Sequence, residues 1–339
     1  MNKRIEYFDM LRGVAIIMVV LIHNYGYVYS FESVSLITIT FRNILNVAVP
    51  IFLVISGYFL AEKTYTKNNY YEFLNKQVQR VYIPVLFCSL PLFFKDINQN
   101  ISIIPIIKLL TCSYSVYYFV AVIIQCYILL PFLQRINYKC SLALSSIVAI
   151  VWMGVYTYCF LLYYELSLPL IVYAGNFLMW GFYFILGMSF RNRRFQNISL
   201  LKLLIMLSIF LFASVFESFY IMDKTRSLSG GGQKITAFFL NSTLIFILFN
   251  TRTIDKIQLK VHSKIFRIIS LLGEYSFGVY LIHLSIISIL NSALNIKSID
   301  ISPLFIWSIF SIVIISLSFI ILWLCRKSNA KLSRLLLGV

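Results

Sequence analysis

Two of the three histidines in this 339-residue chain, His23 and His283, stand in long apolar stretches, where an ionisable side chain is costly unless the protein uses it. Arg12 and His23 are 11 residues apart. At 100° per residue this is about 20° from three whole helical turns and a rise of about 16 Å, so both side chains share one helix face. Asp9 lies one turn before Arg12, where it can hold the guanidinium, and Tyr27 one turn beyond His23. An imidazole titrating near neutrality could take a proton from a hydroxyl as a general base. The same position would also suit an interhelical hydrogen bond.

Lys76 and Arg80 are four apart on a segment entering an apolar run, so both can face one anion, whether a substrate phosphate or a lipid headgroup. Gly273, Ser276, Tyr280 and His283 follow at spacings of 3, 4 and 3, which on one helix makes a stripe of a small residue, two hydroxyls and an imidazole. Such a stripe could line a substrate path or join two helices. Ser56 precedes Gly57 but lacks the flanking glycine and strand context of a hydrolase nucleophile, so a packing contact is expected there. Glu217 and Glu274 fall at opposite membrane faces, too far apart for a carboxylate dyad, and should cap or pair locally. His262 lies in a basic segment and reads as a surface residue.

The elements that position these residues follow from composition. The chain is 60% hydrophobic and 12% charged, against roughly 45–50% and 25% in soluble domains. That excludes a soluble globular or a disordered protein. Stretches free of Asp, Glu, Lys and Arg run over 13–31, 43–61, 81–94, 113–133, 140–164, 166–190, 203–216, 235–251, 275–296 and 301–325. They predict an all-α integral membrane protein, a bundle of about ten transmembrane helices. The span 81–94 is short and contains Pro84 and Pro91, so it is expected to kink, tilt or be completed by 101–110. Glycines 230–232 form the clearest loop.

Threading the chain with both termini cytoplasmic puts 22 of the 29 Lys and Arg on the inner side; the other seven are Arg42, Lys95, Lys108, Lys224, Arg226, Lys234 and Lys297. The net charge of +17 is then a property of the cytoplasmic face, suited to orientation and to anionic membrane lipids rather than to nucleic acid. Six cysteines stand singly, without metal-ligand spacing, so neither a metal site nor a permanently bound cofactor is expected. Lys3 and Arg4 precede a run with no small-residue cleavage site, which reads as a retained first helix. The whole chain, 1–339, reads as one transmembrane domain, with 326–339 a short basic cytoplasmic tail.

Several blocks resemble the acyltransferase-3 family of integral membrane acyltransferases, which includes O-acetyltransferases of bacterial surface polysaccharides. Tyr7-Phe8-Asp9-Met10-Leu11-Arg12-Gly13, running to His23, is similar to the family's first-helix signature with its Arg-x10-His spacing. Pro50-Ile51-Phe52 to Ser56-Gly57-Tyr58, Arg80-Val81-Tyr82-Ile83-Pro84, Tyr127-Ile128-Leu129-Leu130-Pro131 and Ser276 to His283 resemble later blocks, so the likeness covers nearly the whole chain. The family's third-helix block commonly carries two arginines three apart; here Gln77 stands three before Arg80, and Lys76 supplies the neighbouring charge. The resemblance implies acetyl transfer from cytoplasmic acetyl-CoA to a hydroxyl of a glycan or lipid-linked saccharide, in a bacterial cytoplasmic (inner) membrane. It implies His23 as general base with Arg12 and Asp9 beside it, and Arg12, Lys76 and Arg80 as contacts for acyl-CoA. Tyr27, Ser276, Tyr280 and His283 are candidates for the substrate path. The rival reading is a flippase or exporter of lipid-linked glycans.

Overall fold

Backbone groups in hydrocarbon must find hydrogen-bond partners within the protein, and a chain this apolar meets that demand by coiling into helices. The computed structural model describes residues 3–63, 67–99, 102–191, 198–226, 228, 233–250, 253–254, 257, 263–294 and 302–339. Among these residues there are helices and no strands. His262 and glycines 230–232 lie outside the described residues.

In chain order the helices are α1 (Lys3–Val28), α2 (Leu36–Leu45), α3 (Ala48–Leu60), α4 (Lys67–Gln99) and α5 (Ile104–Leu110). After them come α6 (Tyr118–Arg135), α7 (Tyr138–Gly154, wider-wound over Val155–Tyr163), α8 (Leu170–Tyr173), α9 (Phe177–Arg191), α10 (Leu200–Thr225) and α11 (Ile235–Leu248). The last four are α12 (Lys264–Glu274), α13 (Ser276–Leu294), α14 (Pro303–Ser328) and α15 (Ala330–Leu337). Each of the ten charge-free stretches overlaps a helix among the described residues. Eight described stretches are long and apolar enough to cross a membrane; α9 and α11 are apolar but shorter.

Two expectations need correction. First, α4 is not a short span but a 33-residue helix that accommodates both Pro84 and Pro91. Charge-free counting stopped at Arg80, whereas the helix continues through the polar residues before it. Its partner α5 packs back on it through Tyr82, whose hydroxyl donates to the Leu110 carbonyl at 2.7 Å, and through the Lys108–Asp96 pair at 2.9 Å. Second, the stretch 166–190 begins outside a helix. Glu165 has φ +53° and Pro169 precedes the single turn of α8, so α9 starts only at Phe177. The Gln125 side chain bridges this break, donating to the Gly175 carbonyl and accepting from the Phe177 N–H, both at 2.8 Å. The basic tail is helical: α14 runs through Arg326 and Lys327, and α15 is capped by Asn329, whose Oδ1 accepts from the Leu332 N–H at 3.0 Å.

Two close helix crossings fix the frame. A Cβ on Gly273 of α12 would lie 1.8 Å from the Asp9 carbonyl oxygen of α1, and one on Gly13 would lie 2.0 Å from the Ile269 carbonyl oxygen. At the other crossing a Cβ on Gly57 of α3 would sit 2.0 Å from the Phe184 oxygen of α9, and one on Gly187 would sit 2.1 Å from the Val54 oxygen. Small residues let membrane helices approach backbone to backbone, gaining dispersion where hydrophobic burial adds little. Ser56–Gly57 is therefore a packing element, and Ser56 Oγ donates within its own helix to the Phe52 carbonyl at 2.8 Å.

Overpacked sites typically cost about 1–3 kcal/mol, and here backbone rather than a flexible side chain would have to yield. Gly273→Ala and Gly57→Ala are each expected to lower the thermal midpoint of purified protein by several degrees or to abolish its recovery. Gly26→Ala, with nothing within 4 Å of the added atom, should unfold like the wild type.

Candidate active site

The first helix supplies the core of the site. Arg12 Nη1 donates to Asp9 Oδ1 at 2.7 Å, one turn away, and the guanidinium carbon lies 5.5 Å from the Phe59 ring centroid. The Asp9 side chain is 11% exposed and that of Arg12 33%, so the carboxylate is sealed behind while the cation faces outward. A paired guanidinium at the end of a spanning helix keeps its charge without facing hydrocarbon alone.

Arg12 opens onto a cavity of about 400 Å³ between α1, α3, α4, α6 and α13, within the size range of small-molecule sites. Three cations line it, Arg12, Lys63 and Arg80, together with Gln77 and the carboxylate of Glu274. Val19, Val49, Phe52 and Phe119 form apolar wall. Ser276, Tyr280 and Gly273 also line it, and Gly338 reaches it from the C-terminal segment. The cavity thus combines anion-binding charge with an apolar interior.

The structure separates some residues that spacing had grouped. Lys76 does not line the cavity: it pairs with Glu72 at 2.6 Å, with its side chain 72% exposed. Position 77, one residue on, is the one turned inward. Gly273 does not share a helix with Ser276, because the chain breaks between α12 and α13 at Tyr275. Tyr280 donates its hydroxyl to the Val116 carbonyl at 2.5 Å, which pins the wall it forms. Tyr27 is partly buried, packed at the margin of an apolar cluster rather than in the cavity. Glu217 pairs locally, accepting from the Tyr158 hydroxyl at 2.7 Å and the Thr236 N–H at 2.9 Å.

Lys63 was not picked out by the sequence reading. It lies three residues past the end of α3, and a cation just beyond an apolar span is the signal that could have found it.

The two intramembrane histidines meet. Their ring centroids are 5.3 Å apart with planes inclined by 44°. His283 is fully buried, and its Nδ1 lies 2.7 Å from the Tyr280 carbonyl oxygen and 3.1 Å from that of Val279. A carbonyl can only accept, so Nδ1 carries the proton, and Nε2 of the neutral ring presents a lone pair. That Nε2 has no hydrogen-bond partner among the described residues. Beside it, His23 is only partly buried. It stands one helical turn beyond Val19 of the cavity wall.

An all-helical bundle of membrane-spanning length, with a charged cavity and an imidazole pair beyond its apolar wall, is the architecture of an integral membrane protein. The chain belongs to the acyltransferase-3 family: the family's acyltransferase domain matches residues 5–323. The sequence is 31% identical over 150 residues to the serine/alanine racemase of Enterococcus gallinarum; the match covers 41% of this chain and 20% of that protein. The chain thus spans about a fifth of the relative's length. No solved structure matches it.

A charge-assisted hydrogen bond contributes about 1.5–3 kcal/mol, whereas exposed ion pairs are worth about 0–1 kcal/mol. Binding of inorganic pyrophosphate, followed by calorimetry, should weaken about tenfold or more in Arg80→Ala and Lys63→Ala and less than about threefold in Lys76→Ala. Equal losses in all three variants would show that the anion sits outside the cavity.

Proposed function

We propose that the protein transfers an acetyl group from cytoplasmic acetyl-CoA to a hydroxyl of a cell-surface or lipid-linked glycan, in the cytoplasmic membrane of a bacterium. The observation that carries this reading is the order of the site in a chain of this family: cations, then apolar wall, then imidazole. The charge distribution turns the Arg12 end of α1 toward the cytoplasm, where acyl-CoA is found. Arg12, Lys63 and Arg80 take the CoA phosphates, with Gln77 beside Arg80 where the family commonly has a further arginine. The pantetheine arm lies along Phe52, Val49, Phe119 and Val19, and this brings the thioester to the level of His23.

The chemistry is then general-base acyl transfer. The acceptor hydroxyl gives its proton to a His23 nitrogen as its oxygen attacks the thioester carbon. When the tetrahedral intermediate collapses, the carbon–sulfur bond breaks. The departing sulfur takes the proton back from His23, leaving an acetyl ester and free CoA. His283 acts as a positioning residue: its Nε2 lone pair is available to an N–H of His23 and so fixes which nitrogen meets the hydroxyl.

General-base catalysis contributes about 10²–10⁴-fold. With purified protein, labelled acetyl-CoA and surface glycan, His23→Ala is expected to bind CoA as the wild type does and to lose transfer by that factor. Arg12→Ala should chiefly raise KM for acetyl-CoA. Wild-type transfer by His23→Ala would contradict the proposed base, and glycan movement across vesicles without label transfer would contradict the enzyme.

A further inference from the structure

Two of the seven basic residues assigned to the outer side are not on the surface. Arg42, inside the apolar stretch Leu36–Leu60, is 8% exposed, and Lys234, just before α11, is wholly buried. Lys234 is satisfied: its Nζ donates to Asn43 Oδ1 at 3.1 Å, to the Ser214 carbonyl at 2.9 Å and to Ser218 Oγ. Arg42 is not. Its Nη1 donates to Asn46 Oδ1, but its Nε has no partner, and it forms no ion pair among the described residues. An ionisable group inside a membrane span with no counter-charge points to function.

Two further nitrogen donors beside it are orphaned in the same way. The amide nitrogens of Asn43 and Asn46 also lack partners. Their orientation is fixed, because Lys234 and Arg42 can only donate and must therefore face the Asn oxygens. Three donor nitrogens within five residues thus lack an acceptor. Nε lies on the guanidinium edge that meets carboxylates and phosphates two-pronged.

The stretch is also placed to serve the reaction. Val19 and Val49 line the cavity. His23 is one turn beyond Val19, and Asn46 is one turn before Val49; because consecutive spans run in opposite directions, both steps lead away from the donor mouth.

We propose that Arg42, Asn43 and Asn46 form a subsite for the anionic group, a carboxylate or a phosphate, of the acyl acceptor, on the opposite side of His23 from the donor cavity. The proposal rests on the acyltransferase reading and adds what that reading leaves open, the charge of the acceptor. Held there by its anion, a saccharide would turn a nearby hydroxyl toward His23.

The test uses the purified full-length protein in lipid nanodiscs, saturated with CoA so that the donor cations are occupied. Affinities are measured for glucuronate, glucose 6-phosphate and glucose, which separate carboxylate from phosphate and both from the neutral sugar. At least one anion should bind tenfold or more tighter than glucose, and Arg42→Gln should bring it to within about threefold of glucose while CoA affinity is unchanged. If Arg42→Gln loses CoA binding as well, Asn46→Ala, which keeps the guanidinium, is the reporter and should weaken the anion severalfold. Neither anion binding better than glucose, or anion affinity unchanged in a variant that still binds CoA, overturns the proposal. Absence of CoA binding in the wild type would instead overturn the acyltransferase reading, and the two failures are thereby distinguished.

Discussion

A charge carried into hydrocarbon has to be matched by the protein itself, since no water is there to do it. Most of this bundle's buried polar groups obey that constraint in pairs or small networks. Arg12 is matched by Asp9, Lys234 by Asn43, Ser214 and Ser218, and Glu217 by Tyr158 and Thr236. Gln125 mends the backbone where the chain breaks before α9. Other groups are left unmatched. His283 Nε2 and Arg42 Nε are buried without partners, while Arg12, Lys63 and Arg80 face a cavity. On the proposed reading, the polar groups the protein leaves unmatched are the ones substrate would match.

That arrangement needs a frame held to fractions of an ångström, and backbone contact at glycines provides it. The crossing of α1 and α12 at Gly13 and Gly273 sits beside Asp9, so the segment that holds Arg12 is fixed by backbone-to-backbone contact. The crossing of α3 and α9 fixes Phe52, Ser56 and Phe59, which form the facing wall. Position and chemistry are thereby coupled: the same first helix carries the close-packing glycine, the ion pair and the imidazole.

Much of this was legible in the sequence. The Arg12–His23 spacing, the Asp9 partner and the apolar stretches all follow from helical periodicity and composition. What was missed has physical causes. Lys76 and position 77 differ by 100° of rotation, and one sequence cannot say which faces inward until α3 and α6 are in place. The break at Tyr275 separated Gly273 from its supposed stripe, because two good helices can meet at a single non-helical residue without Gly or Pro. Arg42 was assigned to the outside because the span was drawn from residue 43 to avoid it. The apolar residues on both sides were the signal that it lay within. The meeting of His23 and His283 is a tertiary fact that no local pattern carries.

The account turns on where the thioester lies relative to His23. The direct measurement is a cryo-electron microscopy structure of the protein with a non-hydrolysable acetyl-CoA analogue. It should show the phosphates at Arg12, Lys63 and Arg80, and the carbonyl carbon close enough to His23 for a hydroxyl held at about 3–3.5 Å from that carbon to reach the imidazole. An analogue bound with its acyl end away from His23, or with its phosphates outside the Arg12 cavity, would contradict the account.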